Sequence, residues 1–150
     1  MFVVAQKCFG MTNMNHILLI WIFVRLFTRL WIVEMNEKIE IDPDIQSDWK
    51  HIPFADETFD LVVFDPPHLV RAGKTSWLAK KYGTIDLMGW PNEFHKAFQE
   101  IMRVMKPTGV MVFKWNEDQI PIKEVFKAFG KQPIVGDMRS KTKWSVFIKT

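Results

Sequence analysis

The sequence is poor in the residues that build disulfides and metal sites. Cys8 is the only cysteine among 150 residues, so no disulfide can form within the chain and a cysteine-rich zinc site is excluded. The four histidines show no spacing typical of a metal-binding pair; they are His16, His51, His68 and His95. The sequence therefore predicts no metal site, and the default location is intracellular.

Positive charge is scarce in the first half of the chain. Residues 1–70 hold five Lys or Arg against ten Asp or Glu, whereas residues 71–150 hold fifteen against seven. The net charge of +3 hides this division. The basic half is either an ordinary solvated surface or a face that meets an anion such as a nucleic acid, and composition leaves both readings open.

The chain has one long apolar run, HILLIWIFVRLFTRLWIV at residues 16–33, about as long as a membrane span. Arg25 and Arg29 near its middle make insertion cost roughly a few kcal/mol each. Little positive charge precedes the run and no small-residue cleavage site follows it, which does not match a signal peptide. Read literally, it predicts a buried or membrane-associated helix. We expect no membrane partner, and a small membrane-associated protein remains an alternative.

Length and composition predict one globular domain with a large core. Hydrophobic residues make up 48% of the chain and aromatic residues 14%, including thirteen Phe and seven Trp. So many aromatic side chains indicate a heavy core, or a surface that stacks on something flat.

Strands and helices alternate beyond residue 38. The predicted strands are 61–64, 109–115 and 143–149, and the predicted amphipathic helices begin at Pro91 and at Glu124. A long irregular segment, 68–90, joins the first of these strands to the first helix. This order predicts an α/β fold in which a mostly parallel sheet is covered by helices.

Two predicted strands end in polar residues, where α/β sheets bind their ligands. One end is Asp65-Pro66-Pro67-His68, and the other is 114–116. The prolines fix the backbone and lack N–H donors, while their carbonyls and the Asp65 carboxylate accept hydrogen bonds. A rigid corner rich in acceptors suits a ligand with two donor hydrogens, such as an amino group, and the His68 ring can stack on a heteroaromatic base.

The lone pair of an amino group on a conjugated ring is delocalised, so the nitrogen is a poor nucleophile. Two acceptors on its hydrogens draw it towards tetrahedral geometry and free that lone pair. Alignment with an electrophilic methyl group then supplies much of the remaining acceleration. This chemistry needs no metal and no covalent intermediate.

Several motifs, in order, resemble class I methyltransferases that depend on S-adenosylmethionine (SAM) and act on amino groups. DIQSDWKHIPFADETFDLVVFDPP at 44–67 and EIMRVMKPTGVMVFKW at 100–115 resemble regions of that class. Small phage and prophage methyltransferases are the most similar group. Their motifs are matched by VVFDPPH, SWLAKKYG, FKWNE and KTKWSVF, which begin at residues 62, 76, 113 and 141. The resemblance covers about residues 38–150 and implies a Rossmann-like methyltransferase sheet, mostly parallel, with a reduced or aberrant N-terminal part.

The resemblance assigns roles to particular residues. Asp65, Pro66 and Pro67 would accept hydrogen bonds from the substrate amino group, and His68 would stack on its ring. The cofactor would lie near Asp65 and Asp48, with Trp49 as an apolar neighbour, although Asp48 also reads as a solvated loop acid. The substrate would be covered by Trp77, Lys80, Lys81, Trp115 and Asn116, of which the lysines also read as surface residues and Trp115 as core or pocket wall.

The sequence departs from this family in two places. No glycine-rich cofactor turn is present, since Gly10 is the only glycine before Gly73, and histidine replaces the commoner aromatic residue after Asp-Pro-Pro. The small phage group typically begins with an aromatic-rich segment and a strand that ends in Asp-Ile-Arg, and this chain does not. We hypothesise that residues from about 8 to 36 are a frame-shifted translation of that region, with the frame restored near Asn36. On this view, residues 1–37 are an aberrant apolar segment and residues 38–150 are the methyltransferase-like domain.

The resemblance implies methyl transfer from SAM to an exocyclic amino nitrogen, with adenine or cytosine in DNA as the expected target. It also implies a cytoplasmic protein, of a bacterial host or phage-encoded. The alternatives are a methyltransferase that acts on RNA, a protein amide or a small molecule, and an inactive fragment or non-catalytic binding module.

Overall fold

The computed structural model of the chain describes residues 3–6, 17–21, 32–34, 37–39, 45–73, 76, 79, 83–137 and 139–150. The strands in these ranges are β1 Val3–Gln6, β2 Ile17–Trp21, β3 Ile32–Glu34, β4 Glu37–Ile39, β5 Ile45–Ser47, β6 Phe59–Asp65, β7 Met105–Asn116, β8 Val135–Gly136 and β9 Thr142–Ile148. The helices longer than one turn in the same ranges are α1 Trp90–Val104 and α2 Ile122–Phe129.

Seven of these strands form one sheet, in the order β5-β1-β2-β6-β7-β9-β8, while β3 and β4 pair with each other. The central pairs β2–β6 and β6–β7 are parallel. The other four pairs of this sheet are antiparallel. The described sheet is therefore mixed, and the predicted mostly parallel Rossmann-like sheet is wrong.

Two chain reversals make the sheet mixed. On one side, β8 and β9 follow each other along the chain and pair antiparallel, and β9 lies between β8 and β7. On the other side, β1 runs antiparallel to both β2 and β5. A helix that joins two neighbouring strands makes them parallel, as α1 does for β6 and β7, whereas a direct reversal of the chain makes them antiparallel. The alternation of strands and helices therefore predicts the relative direction of two strands only where a helix connects them.

The predicted N-terminal helix is also wrong in its described residues. Ile17–Trp21 form the strand β2, paired with β6 from Ile17↔Leu61 to Trp21↔Asp65, and Ile32–Glu34 form β3. Residues 22–31, and most of the segment in the frame-shift hypothesis, lie outside the described residues. Within the described ranges, no helix is both long enough and apolar enough to cross a membrane.

The core lies between the sheet and the two helices on one of its faces. The predicted apolar stripe of α1 is confirmed, because Phe94, Ala97, Phe98 and Ile101 are all buried. Phe94 contacts Phe64 of β6, with ring centroids 6.2 Å apart. Alternate residues of β6 and β7 therefore face α1 and α2, and the residues between them face the opposite side of the sheet.

At most of the helix ends, the predicted boundary lies within two residues of the observed one. Pro91 lies in the first turn of α1, where its missing N–H costs nothing. The last turn of α2 is closed by Gly130, whose φ of +71° is left-handed and suits glycine.

A charged cluster fixes the loop that leads into β6. Arg103 of α1 donates to the carbonyls of Ile52 and Phe54 and to the carboxylates of Glu100 and Asp56. Glu100 accepts in turn from the Ile52 N–H at 2.9 Å. The hydrogen bond from Arg103 lowers the pKa of the Glu100 carboxyl. This cluster holds residues 52–56 against α1 and so fixes where β6 begins.

Candidate functional site

Five described strands of the sheet run in the same direction, β5, β2, β6, β7 and β8, and three of them, β5, β6 and β7, carry polar residues at or just after their carboxyl ends. β2, β6 and β7 are parallel neighbours that end at Trp21, Asp65 and Asn116. β5 runs in the same direction, because β1 is antiparallel to both β5 and β2. The polar residues that end or follow these strands are therefore collected at one edge, which is the expected position of a ligand site.

The Asp65 carboxylate at this edge is bound by a lysine. Lys114 Nζ lies 2.7 Å from Asp65 Oδ2, and both side chains are partly buried. Phe64 pairs with Phe113 in the parallel register, so the residues that follow them, Asp65 and Lys114, are neighbours on the face opposite α1. The sequence places Lys114 at a predicted strand end but gives it no role, because its contact with Asp65 depends on the register between strands.

Pro66 and Pro67 follow Asp65 and are both buried. They carry no N–H and cannot extend the strand pairing, so β6 ends at Asp65. Two buried prolines in succession hold the backbone in one conformation, and the Asp65 side chain therefore has a fixed origin. This part of the predicted site is a rigid strand end, as the sequence indicates.

His68 lies beside this corner and is about half-buried. Its ring meets Trp115 edge to face, with centroids 6.3 Å apart. Burial lowers the pKa of His68 below 6.5, and the Lys114 ammonium acts in the same direction, while Asp65 and Asp118 oppose the shift. The ring is therefore neutral at physiological pH, and a neutral imidazole presents a flat surface that is not strongly hydrated.

Trp115 is buried, with 1% of its surface exposed, and its Nε1 donates to the Ile120 carbonyl at 2.9 Å. Its ring therefore forms a wall against His68 rather than an open stacking surface. Asn116 is partly exposed, and its Oδ1 accepts from the Asp118 N–H at 3.0 Å. Of these two proposed substrate residues, Asn116 is the one that can reach a ligand directly.

Asp48 follows β5 at the same edge of the sheet. Its Oδ1 accepts from the Lys50 N–H at 2.9 Å, and its side chain is about one-third exposed. Trp49 is fully buried and contacts Phe64 and Phe94 edge to face. Its Nε1 has no hydrogen-bond acceptor within the described part of the chain. Three strand spacings of about 4.8 Å place Asp48 roughly 14 Å from Asp65 across the sheet.

Gln119 binds the loop that follows His68 through three hydrogen bonds. Its Oε1 accepts from the N–H groups of Val70 and Arg71, and its Nε2 donates to the Arg71 carbonyl, each at 2.8 Å. The Gln119 amide thus exchanges hydrogen bonds with the backbone of residues 70–71, as the backbone of a neighbouring strand would. Sequence reasoning missed this residue, because the hydrogen bonds join positions 48 or 49 residues apart and FKWNE stops at Glu117.

The motifs FKWNE and KTKWSVF meet in the structure. Lys143 of β9 is 6% exposed, and its Nζ lies 3.1 Å from Glu117 Oε1. Lys141 pairs with Asp118 in the next turn, at 2.8 Å. These ion pairs fix the loop after β7, and through Gln119 that loop supports the loop after β6.

The predicted residues of the covering loop, Trp77, Lys80 and Lys81, lie outside the described residues. Many basic side chains of the second half are engaged in ion pairs. Besides Lys114, Lys141 and Lys143, these are Arg103, Lys106, Lys127 and Lys149. Ion pairing lowers the net field of the basic half without removing its positive charge from the surface.

A scan against protein-family models finds no match, and a search of curated proteins finds none. In the described residues no three His, Cys, Asp or Glu side chains are grouped to hold a metal ion. The chemistry of the strand-end residues therefore carries the functional assignment.

Proposed function

We propose that this chain is a SAM-dependent methyltransferase that transfers a methyl group to an exocyclic amino nitrogen, of adenine or cytosine in DNA. The observation that carries the proposal is the corner formed by Asp65, Pro66, Pro67 and His68 at the end of a parallel strand. A carboxylate, rigid carbonyls and a neutral ring stand there together, and these groups suit an aromatic amine.

The Asp65–Lys114 pair leaves the corner with acceptor capacity. Oδ2 accepts from Lys114, and a carboxylate has lone pairs on both oxygens, so Oδ1 can accept from the substrate amine. A proline carbonyl accepts the second hydrogen of the same amine. The two hydrogen bonds fix the direction of the nitrogen lone pair, and His68 supports the ring to which the amine is attached.

The reaction balances with the groups named. SAM, when bound, supplies a methyl group on a positively charged sulfur. The nitrogen lone pair forms the new N–C bond as the C–S bond breaks, and the electron pair of that bond stays on sulfur in the departing thioether. The nitrogen then carries an extra proton, which passes by way of Asp65 Oδ1 to water. Asp65 therefore orients the amine first and accepts its proton afterwards.

The residues that follow β5 fit the cofactor's hydroxyl and amino groups. Asp48 offers a partly exposed carboxylate at a strand end, and charge-assisted hydrogen bonds to such donors are strong. Trp49 next to it carries a buried donor without an acceptor in the described residues, which is unusual in a complete site. Asp48 would hold the nucleoside part, with Trp49 as a buried apolar neighbour, and Asp65 would face the reacting end.

The DNA part of the proposal follows from access and charge. An amino group inside a duplex cannot reach a strand-end corner, so the base would be flipped out or taken from a single strand. Residues 71–150 carry eight more basic than acidic side chains and would hold the phosphate backbone. Binding would then weaken as salt concentration rises.

Calorimetry with SAM, followed by transfer of labelled methyl groups to oligonucleotides that contain only adenine or only cytosine as the amino base, tests the proposal. We expect SAM to bind and one of the two oligonucleotides to be labelled. Asp65→Ala should abolish transfer with little loss of SAM affinity. No heat of binding at any accessible SAM concentration would overturn the assignment.

Asp60→Ala is the matched control for Asp65→Ala. Asp60 lies on the same strand and is bound by Lys106 at 2.8 Å, but it stands near the opposite end of β6. Loss of a bridged carboxylate there should leave transfer unchanged. Equal losses in both variants would mean that the sheet, rather than the corner, had been damaged.

A further inference from the structure

Three side chains form a row across adjacent strands at the proposed site. Asp65 of β6 is bound by Lys114 of β7, and Lys114 is the register partner of Trp144 in β9. Lys114 Nζ also lies over the Trp144 ring, 5.7 Å from its centroid. The row lies on the face opposite α1, because the alternate residues Phe64 and Phe113 face the helices.

Trp144 is exposed to an unusual degree for its size. It has 45% of its surface accessible and is the one aromatic among the large apolar residues exposed in the described ranges. Val135 of β8 lies on the same face and is exposed as well, since its register partner Val146 is two residues from Trp144. The ring is fixed from one side by the lysine and remains accessible, and a fixed exposed ring suits a flat ligand.

We propose that Trp144 is a stacking residue for the base next to the target base, so that the substrate is a single-stranded or flipped-out segment of nucleic acid rather than a free nucleoside. This inference rests on the proposed function. Asp65 and Trp144 stand two strand spacings apart, or about 10 Å. One base cannot fill the corner at Asp65 and also lie on Trp144, so the ring on Trp144 belongs to a neighbouring nucleotide.

The charges in the row favour a nucleic acid over a protein partner on this face. Protein–protein contacts are depleted of charged residues at their centre, whereas Lys114 lies directly beside the exposed ring and is itself paired with Asp65. Aromatic rings on a basic surface are the usual platform for single strands, because every base presents a π-face to stack. Stacking of this kind tolerates any base, so Trp144 contributes affinity and not sequence preference.

Binding of a dye-labelled single-stranded oligodeoxynucleotide, followed by fluorescence anisotropy, tests the inference without requiring methyl transfer. We expect Trp144→Ala to weaken binding about 5- to 100-fold, the range for loss of one stacked base. Trp144→Phe should retain most of the affinity. Val135→Ala removes exposed apolar surface from the same face without removing a ring, and it should bind as the unchanged protein does.

Three results would overturn the inference: no oligonucleotide binding by the unchanged protein, equal binding by Trp144→Ala, or an equal loss in Val135→Ala. The last would indicate a general apolar contact, as with another protein chain. Methyl transfer to free deoxyadenosine or deoxycytidine is measured separately on the same variants. Transfer that persists while Trp144→Ala has no effect on binding leaves the proposed function standing and removes this inference alone.

Discussion

Lys114 Nζ and Asp65 Oδ2 lie 2.7 Å apart, on neighbouring parallel strands. The pair is partly buried, so it is screened less than a surface pair, and it lies near the carboxyl ends of both strands. A carboxylate that accepts from a fixed lysine has fewer accessible orientations than one in solvent. We infer that Lys114 acts as a positioning residue, by fixing the direction in which Asp65 offers its second oxygen.

Lys114→Met should lower the turnover of methyl transfer about 10- to 100-fold, because a misplaced acceptor aims the amine poorly. SAM affinity should change little, and Lys114→Arg should restore part of the turnover. Single-turnover assays and calorimetry separate the two effects. Lys106→Met removes the corresponding bridge to Asp60, so a similar loss in that control would contradict a specific role for Lys114.

Asp48→Ala should weaken SAM binding roughly 10- to 100-fold, the effect of losing a charged hydrogen-bond acceptor. Asp137→Ala is its control, because Asp137 Oδ1 accepts from the N–H two residues later at 2.9 Å, as Asp48 Oδ1 does. Calorimetry should show normal affinity for the control. Unchanged affinity in Asp48→Ala would remove this residue from the proposed cofactor site.

The stability of the protein should fall as the pH drops below 6.5, in part because of His68. Burial lowers the pKa of His68 in the folded chain, so below 6.5 the unfolded chain binds a proton more readily than the folded chain does. His68→Phe should show a shallower loss of unfolding free energy over the same pH range. Denaturant titrations at several pH values measure the difference, and identical slopes would contradict it.

Thr108→Gly should stabilise the chain by about 0.5–1 kcal/mol. Thr108 has a φ of +65°, a left-handed conformation that strains a β-branched residue and suits glycine. The strain should outweigh the extra chain entropy that glycine gives to the unfolded state. Thermal unfolding should show a rise of about 2–4 °C per kcal/mol. Thr84→Gly, at an exposed position without a positive φ, should lower the transition temperature instead.

The elements that the sequence predicts well are those whose signals are local. Pro91 and the spacing of Phe94, Ala97 and Phe98 define α1, and the run at 61–64 lies within β6. The sequence predicts the sheet directions poorly, because they depend on the antiparallel pairing of β8 with β9 and on pairings of β1 that no local pattern encodes. In an apolar run such as 16–33, hydrophobic periodicity does not distinguish a strand of five residues from a buried helix.

In the site, too, the sequence predicts the local features and misses the contacts between distant residues. Asp65 and the two prolines are visible in the sequence, since a strand that ends in such residues has a distinct local pattern. The partners of the site come from β7, β9 and the loop that holds Gln119, and they become neighbours only when the strands are in register. Trp115 is predicted either to contact substrate or to be core or pocket wall, and its burial agrees with the second reading.

The place of β9 in the sheet has a consequence for biosynthesis. β7 pairs with β9 over seven residue pairs, yet a ribosome must make α2 and β8 before it reaches Thr142. Until then one edge of β7 exposes its backbone N–H and C=O groups. An exposed strand of this length is open to pairing with another nascent chain, so chaperones would protect this protein most during the delay before β9 emerges.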